Sequence, residues 1–185
     1  SKDMEYLRNS IFPGILKALS YNERRKQKNL KIYEIGSIQY CEIKKKKTDK
    51  IVENRFLGIA WLGENIKYWQ GNIQQDFFKV KGEVLELLKF CGIENVSFIE
   101  SQANFSNMNI EIIIDNKNVG NISELNTKIK SIYNLTSQVF ITDINLNLLK
   151  NINNNKNKYL KPSQYPMINR DISILINNTI KNKNI

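Results

Sequence analysis

The stretch IYEIGSIQYCE, residues 32–42, decides how the rest of the chain is read. β-Branched and aromatic residues dominate it, so it reads as a strand. Two carboxylates, Glu34 and Glu42, stand on either side of Gly36. On one strand they share a face but lie about 27 Å apart at ~3.4 Å per residue. Paired carboxylates that attack one bond sit roughly 5–10 Å apart. The spacing therefore assigns them to structural ion pairs or turn contacts, and a carboxylate enzyme is the weakest of the functional readings.

Working outward, LRNSIFPGILKALSYN (7–22) places Leu7, Ile11, Ile15, Leu16 and Leu19 at helical spacing. Pro13 suits the first turn after a Ser10 N-cap, which starts the helix near residue 11. NERRKQKN is a charged connection into a strand over 30–43, and KKKKTDK (44–50) turns the chain into a second strand, RFLGIAWLG (55–63). Imperfect alternation in that strand predicts cover on both faces. DFFKVKGEVLELLKFCG (76–92) is the clearest helix, with Phe77, Val80, Val84, Leu87 and Leu88 on one side, Asp76 as N-cap and Gly92 at its end. VSFIE (96–100) is a short strand, and 108–125 a hairpin turning at Asp115–Asn118. A short helix over 126–135 and a strand over 137–149, running into a helical turn, complete the first 150 residues. NINNNKNKY (151–159) is polar, low in complexity and suited to a linker. In KPSQYPMINRDISILINN (161–178) two prolines precede an alternating strand. The expected class is α+β, a mainly antiparallel sheet flanked by helices. Domains are expected at 1–150 and, after a linker at 151–162, at 163–185. The chain starts without Met and stops after a strand that lacks a following partner, as a segment of a longer polypeptide does.

Composition excludes several chemistries. The 41% apolar and 25% charged content belongs to a globular protein with a real core. No apolar run approaches the ~20 residues of a membrane span, and the polar start SKDMEYLRNS is no signal peptide. There is no histidine, which rules out Ser-His-Asp and Cys-His nucleophiles within this chain and histidine-bearing zinc motifs. Cys41 and Cys91 are too few for a disulfide framework and suit a reducing compartment. The net charge of +10 points to an acidic partner such as nucleic acid. It is unevenly spread: residues 1–50 hold 13 Lys/Arg against 6 Asp/Glu, 51–150 hold 9 against 11, and 151–185 hold 6 against 1. The middle of the chain is not basic, and Lys, Asn and Ile are the residues an A/T-rich genome favours. A stand-alone basic RNA-binding module is thus the alternative reading, not the leading one.

The order helix, charged link, then YEIGSIQYCE resembles class II aminoacyl-tRNA synthetase cores, in which an apolar strand ends in Gly and is followed by Phe-Arg-x-Glu. That arginine meets the α-phosphate of ATP with a planar, permanently charged fork. Here the Phe position falls on Gln39, the Arg position on Tyr40 and the Glu position on Glu42. A neutral phenol cannot offset developing phosphoryl charge. The later Gly-x-Gly-x-x-Arg of such cores is also missing.

Five segments in order resemble the β subunit of bacterial-type phenylalanyl-tRNA synthetase. They are SKDMEYLRNSIFPGILKAL (1–19), YNERRKQKNLKIYEIGSI (21–38), DFFKVKGEVLELLKFCGI (76–93), VGNISELNTKIKSIYNL (119–135) and YPMINRDISILIN (165–177). Departures are Asn126-Thr127 in place of a His-Pro and ESQANFSNMN (100–109) in place of a His-Pro-Gly stretch. The resemblance implies a non-catalytic class II-like core over 1–150, then the first strand of a truncated ferredoxin-like anticodon-binding domain. It implies a subunit of the ATP- and Mg²⁺-dependent phenylalanine–tRNA ligase, with no catalytic, cofactor or metal residue in this segment. The implied partners are the catalytic α subunit and tRNA(Phe), in a cytoplasmic heterotetramer of two α and two β.

Candidate RNA contacts are Lys44, Lys45, Lys46, Lys47 and Arg170. A lysine block at a hairpin tip is more commonly just solvated, and Arg170 with Asp171 equally suits a pair at a strand start. Trp61, Trp69, Phe77 and Phe78 could stack bases. Strand and helix spacing favours a core role for all of them except Trp69. Asp76 and Lys81-Gly82 lack the Gly-rich loop of a phosphate site and read as a cap with close packing.

Overall fold

A computed structural model describes residues 7–27, 29–42, 50–63, 65–68, 71–74 and 76–152, with 171, 173 and 175. The lysines at 44–47, Trp69, Arg170 and nearly all of the expected linker and second domain lie outside the described residues. The elements run α1 (Phe12–Arg24), β1 (Leu30–Glu42), β2 (Lys50–Leu62), β3 (Asn65–Tyr68), β4 (Gly71–Gln74), α2 (Phe77–Phe90), β5 (Ser97–Ser101), β6 (Ser106–Ile114), β7 (Lys117–Leu125), α3 (Thr127–Ile132), β8 (Val139–Asn145) and α4 (Leu146–Ile152). Six strands form one sheet in the order β1-β2-β8-β7-β6-β5, and β3 pairs with β4 alone. Every pairing is antiparallel.

Helix α1 has Ile11 at its N-cap, and the Ser10 hydroxyl accepts from the Phe12 N–H at 3.2 Å instead of capping the next turn. Asp76 caps α2 as expected, its Oδ1 accepting from Lys79 N–H at 2.8 Å. Asn126 caps α3 in the same way, accepting from Ile129 N–H at 3.0 Å. The β6–β7 turn places Asp115 at φ 49° and Asn116 at φ 59°. Two left-handed residues in a two-residue loop match the right-handed twist of the strands, and Asp and Asn tolerate that region best.

The sheet is covered on both faces. On one face Ile11, Ile15, Leu16 and Leu19 of α1 pack on Ala60, Leu62, Leu125, Val139 and Ile141. On the other, Phe77, Val80, Val84 and Leu88 of α2 pack on Trp61, Ile110, Ile112, Ile122, Phe140 and Ile144. Besides the Ser10 cap, two expectations need correction. Phe78 is 74% exposed, because one step along a helix from Phe77 rotates it away from the buried stripe. Gly82 makes no close packing, since a Cβ there would meet nothing within 4 Å.

Glu23 ties the end of α1 to the loop before β8. It accepts from Thr136 N–H at 3.1 Å, Thr136 Oγ1–H at 2.9 Å and Ser137 N–H at 2.8 Å. Partial burial pushes its carboxyl up, but these hydrogen bonds from Ser137 and Thr136 outweigh that and hold it below 4.5. A carboxyl lowered by folding adds stability above its unfolded value and loses it as pH falls through the folded one. Weakening these hydrogen bonds by Glu23→Gln, at a site partly open to water, should cost about 0.5–1 kcal/mol at neutral pH. Urea unfolding of both proteins across the acid range should show that gap closing below pH 4.5.

Candidate functional site

The α1-facing surface of the sheet carries the residues that the sequence marks out. Along β1 it receives Ile32, Glu34, Gly36, Ile38 and Tyr40, which alternate with outward-facing Tyr33 and Ile35. Arg8 lies across this strand. Its guanidinium forms an ion pair with Glu34, its Nε donates to Ser37 O at 2.8 Å, and its own carbonyl accepts from Gln39 N–H at 2.9 Å. Gly36 makes that crossing feasible: a Cβ there would fall 1.8 Å from Arg8 Nη2. Glu34 is thus a structural ion-pair partner, as its distance from Glu42 suggests.

Tyr40 is bonded across the hairpin, its Oη accepting from Asn54 Nδ2 at 2.9 Å. The position of the expected phosphate-gripping arginine holds a neutral ring tied to a neutral amide. Further across the sheet, strand alternation puts Glu111, Asn121 and Asp143 on the same face. Asp143 Oδ1 accepts from Asn121 N–H at 3.1 Å and from Asn121 Nδ2 at 3.4 Å. Burial raises the Asp143 carboxyl above its ordinary 3.8, and the hydrogen bonds from Asn121 only partly offset this. Beside it, Asn109 Nδ2 donates to Ser101 Oγ at 2.6 Å, and the Ser123 hydroxyl donates to Asn109 Oδ1.

Asn121, Asp143 and the cavity they line were missed in the sequence. The signal available was an acid inside VFITDIN, an otherwise buried central strand. Trp61 and Phe77 are core residues, and Trp61 Nε1 donates to Glu83 Oε2 at 2.8 Å. Lys81 lies 4.6 Å from the Phe98 ring centroid, a cation–π contact. Cys41 and Cys91 are not disulfide-bonded. Among the described residues no group of His, Cys, Asp and Glu could hold a metal ion, and no helix is long and apolar enough to cross a membrane.

Comparison with known proteins adds to this geometry. The chain is 31% identical, over its whole length, to the phenylalanine–tRNA ligase β subunit of Buchnera aphidicola subsp. Acyrthosiphon pisum. It is 27% identical over 97% of its length to that of Carboxydothermus hydrogenoformans. It spans 23% of the length of each of these relatives. The crystal structure of pyrrolysyl-tRNA synthetase from Desulfitobacterium hafniense superposes with a TM-score of 0.61, covering 77% of this chain and 48% of that one. At 13% identity, that likeness shows the fold alone, a class II synthetase-like core of antiparallel strands and flanking helices. The model of the phenylalanyl tRNA synthetase beta chain CLM domain matches residues 1–146, and the chain belongs to that family.

Proposed function

We propose that the chain is the non-catalytic core of a phenylalanine–tRNA ligase β subunit, which holds the catalytic α subunit and helps orient tRNA(Phe). The observation that carries this reading is Tyr40, bonded to Asn54, at the position where a class II core needs its arginine. The surroundings support it. The same face presents Glu34, Glu111 and Asp143, and Arg8, which reaches it, is bound to Glu34. A triphosphate set against those carboxylates would be repelled, so the described residues do not fit ATP. In this reading ATP and Mg²⁺ are used by the α subunit, and the assembly is a cytoplasmic heterotetramer of two α and two β. The candidate RNA contacts Lys44 to Lys47 and Arg170 supply positive charge for the tRNA backbone.

Pyrophosphate exchange tests the proposal. The chain alone, given phenylalanine, ATP and Mg²⁺, should show none, and it should co-purify with a co-expressed α subunit. Exchange by the chain alone, lost on replacing Glu42, would overturn it. The stand-alone RNA-binding reading predicts instead tight binding to generic RNA with a steep salt dependence, because each neutralised phosphate releases counterions.

A further inference from the structure

A cavity lies between α1, α3 and the strands β7 and β8, and the proposed function leaves its interior without a role, drawing on Asp143 of its lining only for charge. Its volume is about 430 Å³, within the range of small-molecule sites. Phe12 and Leu16 of α1, Ile129 of α3, Tyr133 just after it, and Ile141 of β8 give it apolar walls, and Asn121 and Asp143 add polar groups to the lining. Ile132, 67% exposed, stands at the rim.

We propose that this cavity binds an apolar primary amine, a monocation with an aromatic or branched hydrocarbon body. Among the described residues Asp143 is the only carboxylate on the lining, and no lysine or arginine lies there. The groups that donate to Asp143 are amides, so the carboxylate lacks a countercharge. A partly buried carboxylate with only neutral donors is disfavoured, and an ammonium group arriving beside it forms a charge-assisted hydrogen bond. The apolar walls accept the hydrocarbon and release its ordered water. The same lining selects against other ligands. A carboxylic acid or phosphate meets Asp143 with like charge, and a zwitterionic amino acid brings a carboxylate for which the lining holds no cation.

Titration of the isotope-labelled chain by NMR tests this with three matched probes: benzylamine, phenylacetate and phenylglycine. Benzylamine should bind saturably and shift the amides of Asn121, Ile129 and Tyr133. Phenylacetate and phenylglycine should bind at least about tenfold more weakly, since each brings a carboxylate that the lining pairs with no cation. Asp143→Asn should fold, because it removes a charge that burial disfavours and keeps an oxygen for Asn121, and it should weaken benzylamine by about tenfold or more. Ile132→Trp, changed at an exposed position, should narrow the mouth and weaken benzylamine while leaving the circular dichroism spectrum unchanged. Equal binding of benzylamine and phenylacetate would overturn the proposal. So would benzylamine affinity that survives both substitutions, or the absence of saturable binding to the parent chain. None of these outcomes bears on pyrophosphate exchange, so this site and the proposed function fail separately.

Discussion

Gly120→Ala is expected to cost about 3 kcal/mol or more, a sizeable share of the roughly 5–15 kcal/mol by which ordinary domains are stable. Gly120 pairs with Ile144 in the middle of the sheet. A Cβ there would fall 1.9 Å from the Asp143 carbonyl oxygen and 3.0 Å from Ile144 Cα. Those atoms are backbone of the neighbouring strand, so relief requires β8 to move away from β7 and surrender their shared hydrogen bonds. No side chain is available to swing aside. Gly82 is the control, because it lies inside α2 with nothing within 4 Å of its would-be Cβ. Gly82→Ala should gain about 0.5–1 kcal/mol by restricting the unfolded chain and favouring the helix. Urea unfolding of both variants reads the contrast directly, and a Gly120→Ala midpoint close to the parent's would show that the two strands are not so closely apposed.

The second large effect is expected at Phe140. Its side chain is fully buried, and its ring stands edge-on to Phe77 with centroids 6.3 Å apart and planes at 62°. Phe140→Ala should cost about 3–5 kcal/mol, the transfer of a ring plus the hole it leaves, including some 0.5–1.5 kcal/mol of ring–ring contact. Phe78→Ala removes a ring of the same size from a site 74% exposed and should change stability by less than about 0.5 kcal/mol. Thermal or urea melts of the pair separate the two cases. Equal losses would place Phe78 in a contact that the fold does not show.

Phe77 and Phe78 show how far the sequence could be read. Phe77, Val80, Val84 and Leu88 repeat at helical spacing, and that period identifies both the helix and its buried side. Phe78 lies off the stripe by that same period, and only its aromatic character groups it with its neighbour. The β6–β7 hairpin was legible because apolar alternation brackets a turn of residues that accept left-handed backbone. Strands β3 and β4 were not legible. NIKY and GNIQ are four residues each, largely polar, and pair outside the main sheet, so no apolar face imposes a period on them. Tyr40 was readable as the absence of an arginine, because that judgement needs only the residue at one place in a motif. The cavity was not, since Asn121 and Asp143 are far apart in sequence and meet only through the β7–β8 register.

The strand order has a consequence for synthesis. β1 and β2 form one hairpin, and β5, β6 and β7 form one meander, but only β8 joins the two, pairing with β2 on one side and β7 on the other. It is the last of these six strands to leave the ribosome. Until residue 145 has emerged, both halves wait with an open flank and their apolar surfaces wet, the state in which nascent chains stick to one another. A slowing of elongation before β8 has cleared the ribosome would prolong that exposure, and the pairing of β8 with both halves ends it.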